Sequence, residues 1–195
     1  DVAGDGKEGW LVFAGESGDS ARLGNNVVEQ LRAAGRKVVR VTPGTKLSIS
    51  ERDATIRADV PEDYDALLSG LEKRSFVPRR ILHLWTAGEL PKANNLEARY
   101  EQAQSLGFHS LLALAQAIGK SGTATPIALV VASSGTAQVA GEAVAHPERA
   151  TVLGPCKVMM QEIPSVTCTS VDLTVPAVGT WHEAELAFRL IAETE

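Results

Sequence analysis

The chain has 195 residues, of which 44% are hydrophobic and 22% charged, and its formal net charge is −5. This ordinary globular usage excludes disordered and fibrous classes, and the length suits one domain with a single core. The acidic balance argues against a nucleic-acid partner, and no apolar run approaches the ~20 residues that span a bilayer. We therefore expect a cytoplasmic protein that binds neither nucleic acid nor membrane.

Five short apolar runs predict β-strands, and the fourth is apolar throughout, as in a strand buried on both faces of a parallel sheet. Residues 1–9 precede them and are predicted to be a linker, which leaves 10–195 as one domain. The five runs cover residues 10–14, 38–42, 81–85, 127–132 and 167–172.

Helical patterns lie between the predicted strands. The first follows strand 10–14, with Asp19 or Ser20 as the expected N-cap, and it stops at Gly35. The second opens at Pro61, a residue suited to the first helical turn. A longer helix is predicted over about 101–120.

The buried side of that longer helix is predicted to include Phe108 and Leu112. The last helix begins at Thr180, where Glu183 completes a capping-box pattern, and its apolar stripe includes Phe188.

Strands that alternate with helices predict a parallel sheet with right-handed crossovers. The expected fold is therefore α/β, a truncated or degenerate Rossmann-like fold with a mostly parallel sheet of at least five strands flanked by helices. Between 43 and 60 two brief extended pieces, 47–49 and 55–57, predict a small hairpin-like insertion.

A Rossmann-like sheet would hold a dinucleotide at the first strand-to-helix turn. There Gly15, Gly18 and Gly24 do not have the G-x-G-x-x-G spacing, and Glu16 and Asp19 stand where phosphates would lie. Two carboxylates repel a diphosphate and oppose the attraction of the helix N-terminus. We expect this chain to bind no dinucleotide.

Several stretches resemble, in the right order, the structural subdomain of polyketide synthase ketoreductases, which are members of the short-chain dehydrogenase superfamily. They are Trp10-Leu-Val-Phe-Ala14, Val38-Val-Arg-Val-Thr-Pro-Gly44, Pro61-Glu-Asp-Tyr-Asp-Ala-Leu-Leu68, Ile81-Leu-His-Leu-Trp85, Ser110-Leu-Leu-Ala-Leu-Ala-Gln-Ala117, Val152-Leu-Gly-Pro-Cys-Lys-Val-Met-Met-Gln-Glu-Ile-Pro164 and Ser170-Val-Asp-Leu173.

The resemblance implies two Rossmann-like halves. The second half carries the NADPH loop and the catalytic residues, and the first is a cofactor-free copy that braces it. The expected partner is therefore a catalytic ketoreductase subdomain, or neighbouring polyketide synthase domains in the same polypeptide. Segments 101–120 and 151–162 are the expected contact surface. The chain alone would not be an enzyme, and it could also persist as a pseudo-ketoreductase.

The catalytic set of the superfamily is absent from this sequence. Ser133 and Ser134 end the fourth strand, where the superfamily carries its catalytic serine, but no tyrosine follows them to protonate a carbonyl oxygen. Tyr64 and Tyr100 both lie upstream, and Gln104 stands four residues after Tyr100 in place of lysine or asparagine. We expect no catalytic, cofactor-binding or metal-binding residues.

Two other functions remain open from the sequence. A hydrolase could combine Ser134 with His146 or His182 and Asp172, although the chain has no G-x-S-x-G elbow. A free-standing NADP-dependent reductase is the main alternative. His83, inside an apolar strand, is predicted to be a core residue, and the histidines and both cysteines lack the spacing of metal ligands.

Overall fold

The computed structural model describes residues 8–90, 92–138 and 144–194. Its centre is a seven-stranded sheet of order β3-β4-β2-β1-β5-β6-β7, in which β3 pairs antiparallel with β4 and the other pairs are parallel. This confirms the predicted Rossmann-like α/β class. The strands are β1 (Glu8–Phe13), β2 (Lys37–Pro43), β3 (Ser48–Ile49), β4 (Asp53–Ile56), β5 (Val77–Thr86), β6 (Ile127–Ser133) and β7 (Val166–Asp172).

Helices cover both faces of the sheet. Side chains of α1 and α6 pack on one face, and those of α2, α4 and α5 pack on the other. Successive β1 residues alternate between the two cores, because strand side chains have a period of two. The helices are α1 (Gly18–Ala33), α2 (Pro61–Glu72), α3 (Leu96–Ala103), α4 (Ser110–Ser121), α5 (Leu153–Glu162) and α6 (Trp181–Ala192).

Two predicted boundaries near the sheet edges change. Strand β1 begins at Glu8, inside the predicted linker 1–9, of which residues 1–7 lie outside the described ranges. The predicted hairpin forms from β3 and β4, but β4 also pairs with β2 and so extends the main sheet.

The predicted N-cap of α1 was wrong. Ser17 is the N-cap, and Asp19 and Ser20 lie in the first helical turn. The Ser20 hydroxyl instead accepts the Gly15 N–H at 2.8 Å and donates to the Leu84 carbonyl at 2.7 Å. Ser20 therefore joins the turn to β5 and leaves the helix end uncapped by its side chain.

The long helix starts earlier and is less regular than predicted. It begins at Leu96 and passes through a π-helical turn, Gln104–His109, before α4. Within α4 the buried leucines are Leu111 and Leu114, while Leu112 is 39% exposed. The prediction of Leu112 as buried was wrong because α4 is apolar on more than one side, and contact with the sheet selects only one.

Helix α6 shows the same kind of difference. Thr180 is its N-cap, but the hydroxyl donates to the Ala177 carbonyl, and Glu183 accepts from the Gly179 N–H at 2.9 Å. Phe188, predicted as buried, is 66% exposed. None of the helices in the described ranges is long and apolar enough to cross a membrane.

Candidate functional site

A crevice of about 360 Å³ opens at the carboxyl ends of β1, β2, β4 and β5. Open α/β sheets bind their ligands at this edge. Three carboxylates, those of Glu16, Asp59 and Glu89, line the crevice, and no lysine or arginine is among its described lining residues. The crevice therefore favours cationic over anionic groups.

The turn from β1 into α1 is held closed by its own hydrogen bonds. Gly18 has a φ of +73°, and Ser20 ties Gly15 to β5 as described above. A Cβ on Gly24 would overlap the Ala14 side chain, so glycine lets α1 approach β1 closely. Close packing of this kind needs a small residue but gives no anion site by itself.

Asp19 places a carboxylate in the first turn of α1. It forms a 2.6 Å ion pair with Arg22 and accepts the Glu89 N–H at 3.2 Å. The Arg22 hydrogen bond holds the pKa of Asp19 below its usual value. Arg22 also pairs with Glu183, which links α1 to the start of α6. A carboxylate held here takes the position that an anionic ligand would need at the helix N-terminus.

Two long side chains close the strand ends beside the turn. Arg40 reaches out of β2 and donates to the Gly15 carbonyl at 2.9 Å. The Trp85 indole N–H donates to the carbonyls of Ala14 at 3.0 Å and Val41 at 3.3 Å, and the ring is buried. Both side chains thus donate to backbone carbonyls at the strand ends, and the carboxylates give the lining of the crevice a negative charge.

A second polar centre lies where β5 and β6 end. The Ser133 hydroxyl is 2.8 Å from that of Thr86, and the Ser134 hydroxyl accepts the Gly88 N–H at 2.7 Å. Arg149, 2% exposed, donates to the carbonyls of Thr86 (3.2 Å), Gly88 (2.6 Å) and Ser134 (3.3 Å). Burial lowers the pKa of Arg149. The arginine thus crosslinks three loop carbonyls at the place where the superfamily carries its catalytic serine.

Sequence reasoning missed Arg149, and the chain offered little to find it by. The residue follows Pro147 and Glu148 in a 3-10 segment, Pro147–Val152, and no periodic pattern marks it as buried. Glu148, its neighbour, forms a 2.9 Å ion pair with Arg99. An isolated arginine in a polar stretch is ordinarily exposed, so only the fold reveals its burial.

The tyrosines lie away from this centre. Tyr64 is buried and donates to the Ala58 carbonyl at 2.7 Å, and burial raises its pKa. Tyr100 is 51% exposed on α3. His83 is fully buried with its Nε2 2.9 Å from the Ser110 hydroxyl, and burial lowers its pKa to about 3. The core position predicted for His83 is therefore correct.

The residues of the possible hydrolase triad are engaged elsewhere. Asp172 accepts the backbone N–H groups of Thr136 and Ala137 at 3.0 and 2.7 Å. The His146 ring lies 3.5 Å from Glu148, and Ser134 bonds to the loop after β5. Across the described parts of the chain, no hydrogen bond joins Ser134, His146 and Asp172.

No group of three or more possible metal ligands occurs in the described ranges. Cys156 is buried and Cys168 half-buried, and both are free thiols.

Apolar side chains are exposed on two adjacent helices in the segments predicted as a contact surface. Leu112 on α4 and Leu153, Val158 and Met160 on α5 are 39 to 53% exposed. We call these four residues the α4–α5 surface. A cluster of exposed large apolar residues on packed helices is typical of a protein contact rather than of open solvent.

The sequence matches a family model described as beta-ketoacyl synthase-like, N-terminal, over residues 18–187. The chain belongs to this family. None of the curated proteins has significant sequence similarity to this chain.

Solved structures share its fold at low identity. An N-terminal ketoreductase from the macrolactin assembly line is 22% identical over 94% of the chain, with a TM-score of 0.72. An adenylation, ketoreductase and pseudo-Asub structure of a keto acid-selecting NRPS module is 20% identical over 95%, with a TM-score of 0.76. The chain spans only 36% and 15% of these two structures.

A short-chain dehydrogenase/reductase from Serratia marcescens also matches, at 14% identity over 97% of this family member and 89% of the enzyme, with a TM-score of 0.66. These structures confirm the predicted fold, which the chain shares with ketoreductases and short-chain dehydrogenases.

Proposed function

We propose that this chain is the non-catalytic structural subdomain of a polyketide synthase ketoreductase. In this role it braces a catalytic half that uses NADPH to reduce a β-ketoacyl chain on a carrier protein. The observation that carries the proposal is the crevice at the carboxyl edge, where carboxylates and internally bonded side chains stand in place of a dinucleotide site.

The charge of the crevice supports the absence of a cofactor in this chain. A dinucleotide carries a diphosphate that must approach the β1–α1 turn and the N-terminus of α1. Asp19 already provides the negative charge at that position and is paired with Arg22. Glu16 and Glu89 add further repulsion from the lining of the crevice.

The β5–β6 centre supports the absence of catalysis. Carbonyl reduction by this superfamily needs a hydroxyl that protonates the substrate oxygen. The hydroxyls of Ser133 and Ser134 bond to Thr86 and Gly88, and Arg149 fills the space beside them. Neither tyrosine lies at this centre. The arrangement holds loops together and presents no free acid to a substrate.

The bracing role uses the α4–α5 surface. Burying its four exposed apolar side chains against a second half would stabilise the pair by the hydrophobic effect, at roughly 25 cal/mol for each Å² of apolar area removed from water. The helices of this chain would give that second half a rigid support and so keep its cofactor site in shape.

Calorimetric titration with NADPH tests the proposal. We expect no saturable heat for this chain at concentrations at which a complete ketoreductase, titrated under the same conditions as the control, saturates in the micromolar range. Saturable micromolar binding by this chain would contradict the proposal and favour a free-standing NADP-dependent reductase.

The bracing surface is tested in the parent polypeptide. Leu153→Glu with Met160→Glu should lower reductase activity by on the order of tenfold, because two charges would be buried in the contact. The control is Phe188→Glu on α6, which is also an exposed apolar residue but lies on the other face of the sheet and should leave activity unchanged. Equal losses from both changes would argue against this surface. A parent without a catalytic half would make the chain a pseudo-ketoreductase.

A further inference from the structure

A second cleft, of about 440 Å³, lies at the opposite edge of the sheet. It forms where β2, β4 and β5 begin and where α1 and α2 end. Its lining residues are Arg32, Gly35, Arg36, Lys37, Val38, Glu51, Arg52, Leu71, Arg74, Ser75 and Phe76. Clefts of this volume are in the size range of small-molecule sites.

The cleft is strongly cationic although the chain is acidic. Five lysine and arginine side chains line it against one carboxylate, that of Glu51, while the whole chain has a net charge of −5. The cations come from the end of α1, the start of β2, the β3–β4 turn and the loop after α2. Arg32, Arg36 and Lys37 are close together in the sequence, and the fold brings Arg52 and Arg74 to them.

Backbone carbonyls orient two of these arginines and leave their charge in place. Arg74 donates to the carbonyls of Ser50 and Ile49, the latter at 3.2 Å, and Arg32 donates to the Arg52 carbonyl at 3.3 Å. Within the ranges that the structure describes, no carboxylate forms an ion pair with Arg32, Lys37, Arg52 or Arg74. Carbonyl bonds fix the guanidinium groups without neutralising them.

The favourable interaction of cations with helix C-termini explains only a small part of the positive charge in this cleft. Cations near a helix C-terminus are favourable. Arg32 is the one basic residue in the last turn of α1, and the last turn of α2 has none. Lys37 and Arg52 stand on strand and turn segments, where they repel the other cations and gain nothing from a helix end.

We propose that this amino-edge cleft binds a small molecule that carries two or more phosphate groups. Guanidinium groups match phosphate oxygens with paired hydrogen bonds, and a ligand with several phosphates would relieve the repulsion among the cations. A concave site favours such a compact ligand over the broad surface of an acidic protein. The proposal does not depend on the bracing role.

Inorganic tripolyphosphate is the probe, in isothermal titration calorimetry with the whole chain. We expect saturable binding that weakens as salt is raised. Lys37→Gln with Arg52→Gln should raise the Kd by on the order of tenfold, since both side chains are exposed and neither forms a side-chain hydrogen bond or ion pair within the described ranges. Lys92→Gln with Lys157→Gln removes the same charge elsewhere on the surface and should leave the Kd within about twofold.

Several results would overturn the proposal. They are no saturable binding, equal weakening by the cleft variant and its control, or equal or tighter binding of citrate or a poly-glutamate peptide, which would show a general polyanion surface. Circular dichroism checks the fold of each variant, and Arg52→Gln alone is the substitute if the double variant unfolds. A negative result in the tripolyphosphate titration would not change the interpretation of the NADPH titration, so the two proposals are tested separately.

Discussion

The two edges of one sheet carry opposite charge in this molecule. At the carboxyl edge the crevice is lined by the carboxylates of Glu16, Asp59 and Glu89. At the amino edge the cleft is lined by five lysines and arginines and a single glutamate. In doubly wound α/β proteins anionic ligands bind at the carboxyl edge. This chain has the same kind of fold, but the charge at its carboxyl edge is opposite to the one that binding an anionic ligand there requires.

The edges also differ in what their polar groups contact. Ser20, Trp85 and Arg149 at the carboxyl edge are buried and bonded to backbone carbonyls of neighbouring strands and loops. At the amino edge Arg52 and Lys37 are exposed. Buried groups that form hydrogen bonds contribute to stability, whereas exposed cations contribute little. Carboxyl-edge substitutions should therefore change stability, and amino-edge substitutions should change anion binding.

The largest expected difference is between two arginines. Arg149→Ala should lower the free energy of unfolding by about 3 to 5 kcal/mol, because it removes the buried donor to the carbonyls of Thr86, Gly88 and Ser134 and opens a cavity. Arg52→Ala should change it by less than about 0.5 kcal/mol. Urea denaturation at neutral pH measures both. Similar values for the two variants would show that the edges do not differ in this way.

Two glycines with the same backbone angle sharpen the comparison. Gly88 and Gly35 both have a φ of +72°, but a Cβ on Gly88 would overlap Asp19, whereas nothing lies within 4 Å of one on Gly35. Gly35→Ala should cost about 1 kcal/mol for the left-handed conformation alone. Gly88→Ala should cost about 2 to 3 kcal/mol, because the clash adds to it. Thermal unfolding of both variants checks this, and equal costs would mean that the Gly88 loop moves aside freely.

Much of the fold could be predicted because it depends on local apolar patterns. The run at 127–132 indicated a strand buried on both faces, and β6 lies between β5 and β7 with side chains in both cores. Side-chain burial on helices was harder to predict, as Leu112 and Phe188 show. Both helices are apolar on more than one side, and only the position of the sheet decides which side is buried.

The negative charge at the carboxyl edge could also be predicted, since Glu16 and Asp19 stand in the turn itself. The contacts of Arg149 and the amino-edge cleft were not. Arg52 lies about twenty residues along the chain from both Arg32 and Arg74, and none of the three lies in a motif. Packing between distant parts of the chain brings these arginines together, and no local sequence pattern predicts it.

The smallest expected effect concerns Asp19. Arg22 holds the pKa of the Asp19 carboxyl below its usual value. The ion pair therefore stabilises the fold fully above the pKa of an aspartate in the unfolded chain, near 4. This stabilisation is lost as the pH falls through the lower pKa of Asp19 in the folded chain.

Asp19→Asn should cost about 0.5 to 1 kcal/mol at pH 7, since the side chain is 30% exposed. Urea denaturation from pH 7 to 2.5 should show this difference shrinking below pH 4. Asp59→Asn, which changes an exposed carboxylate of the neighbouring crevice, is the control and should change stability by less than about 0.5 kcal/mol. A difference for Asp19→Asn that stays constant to pH 2.5 would mean that its packing, rather than its charge, holds the turn.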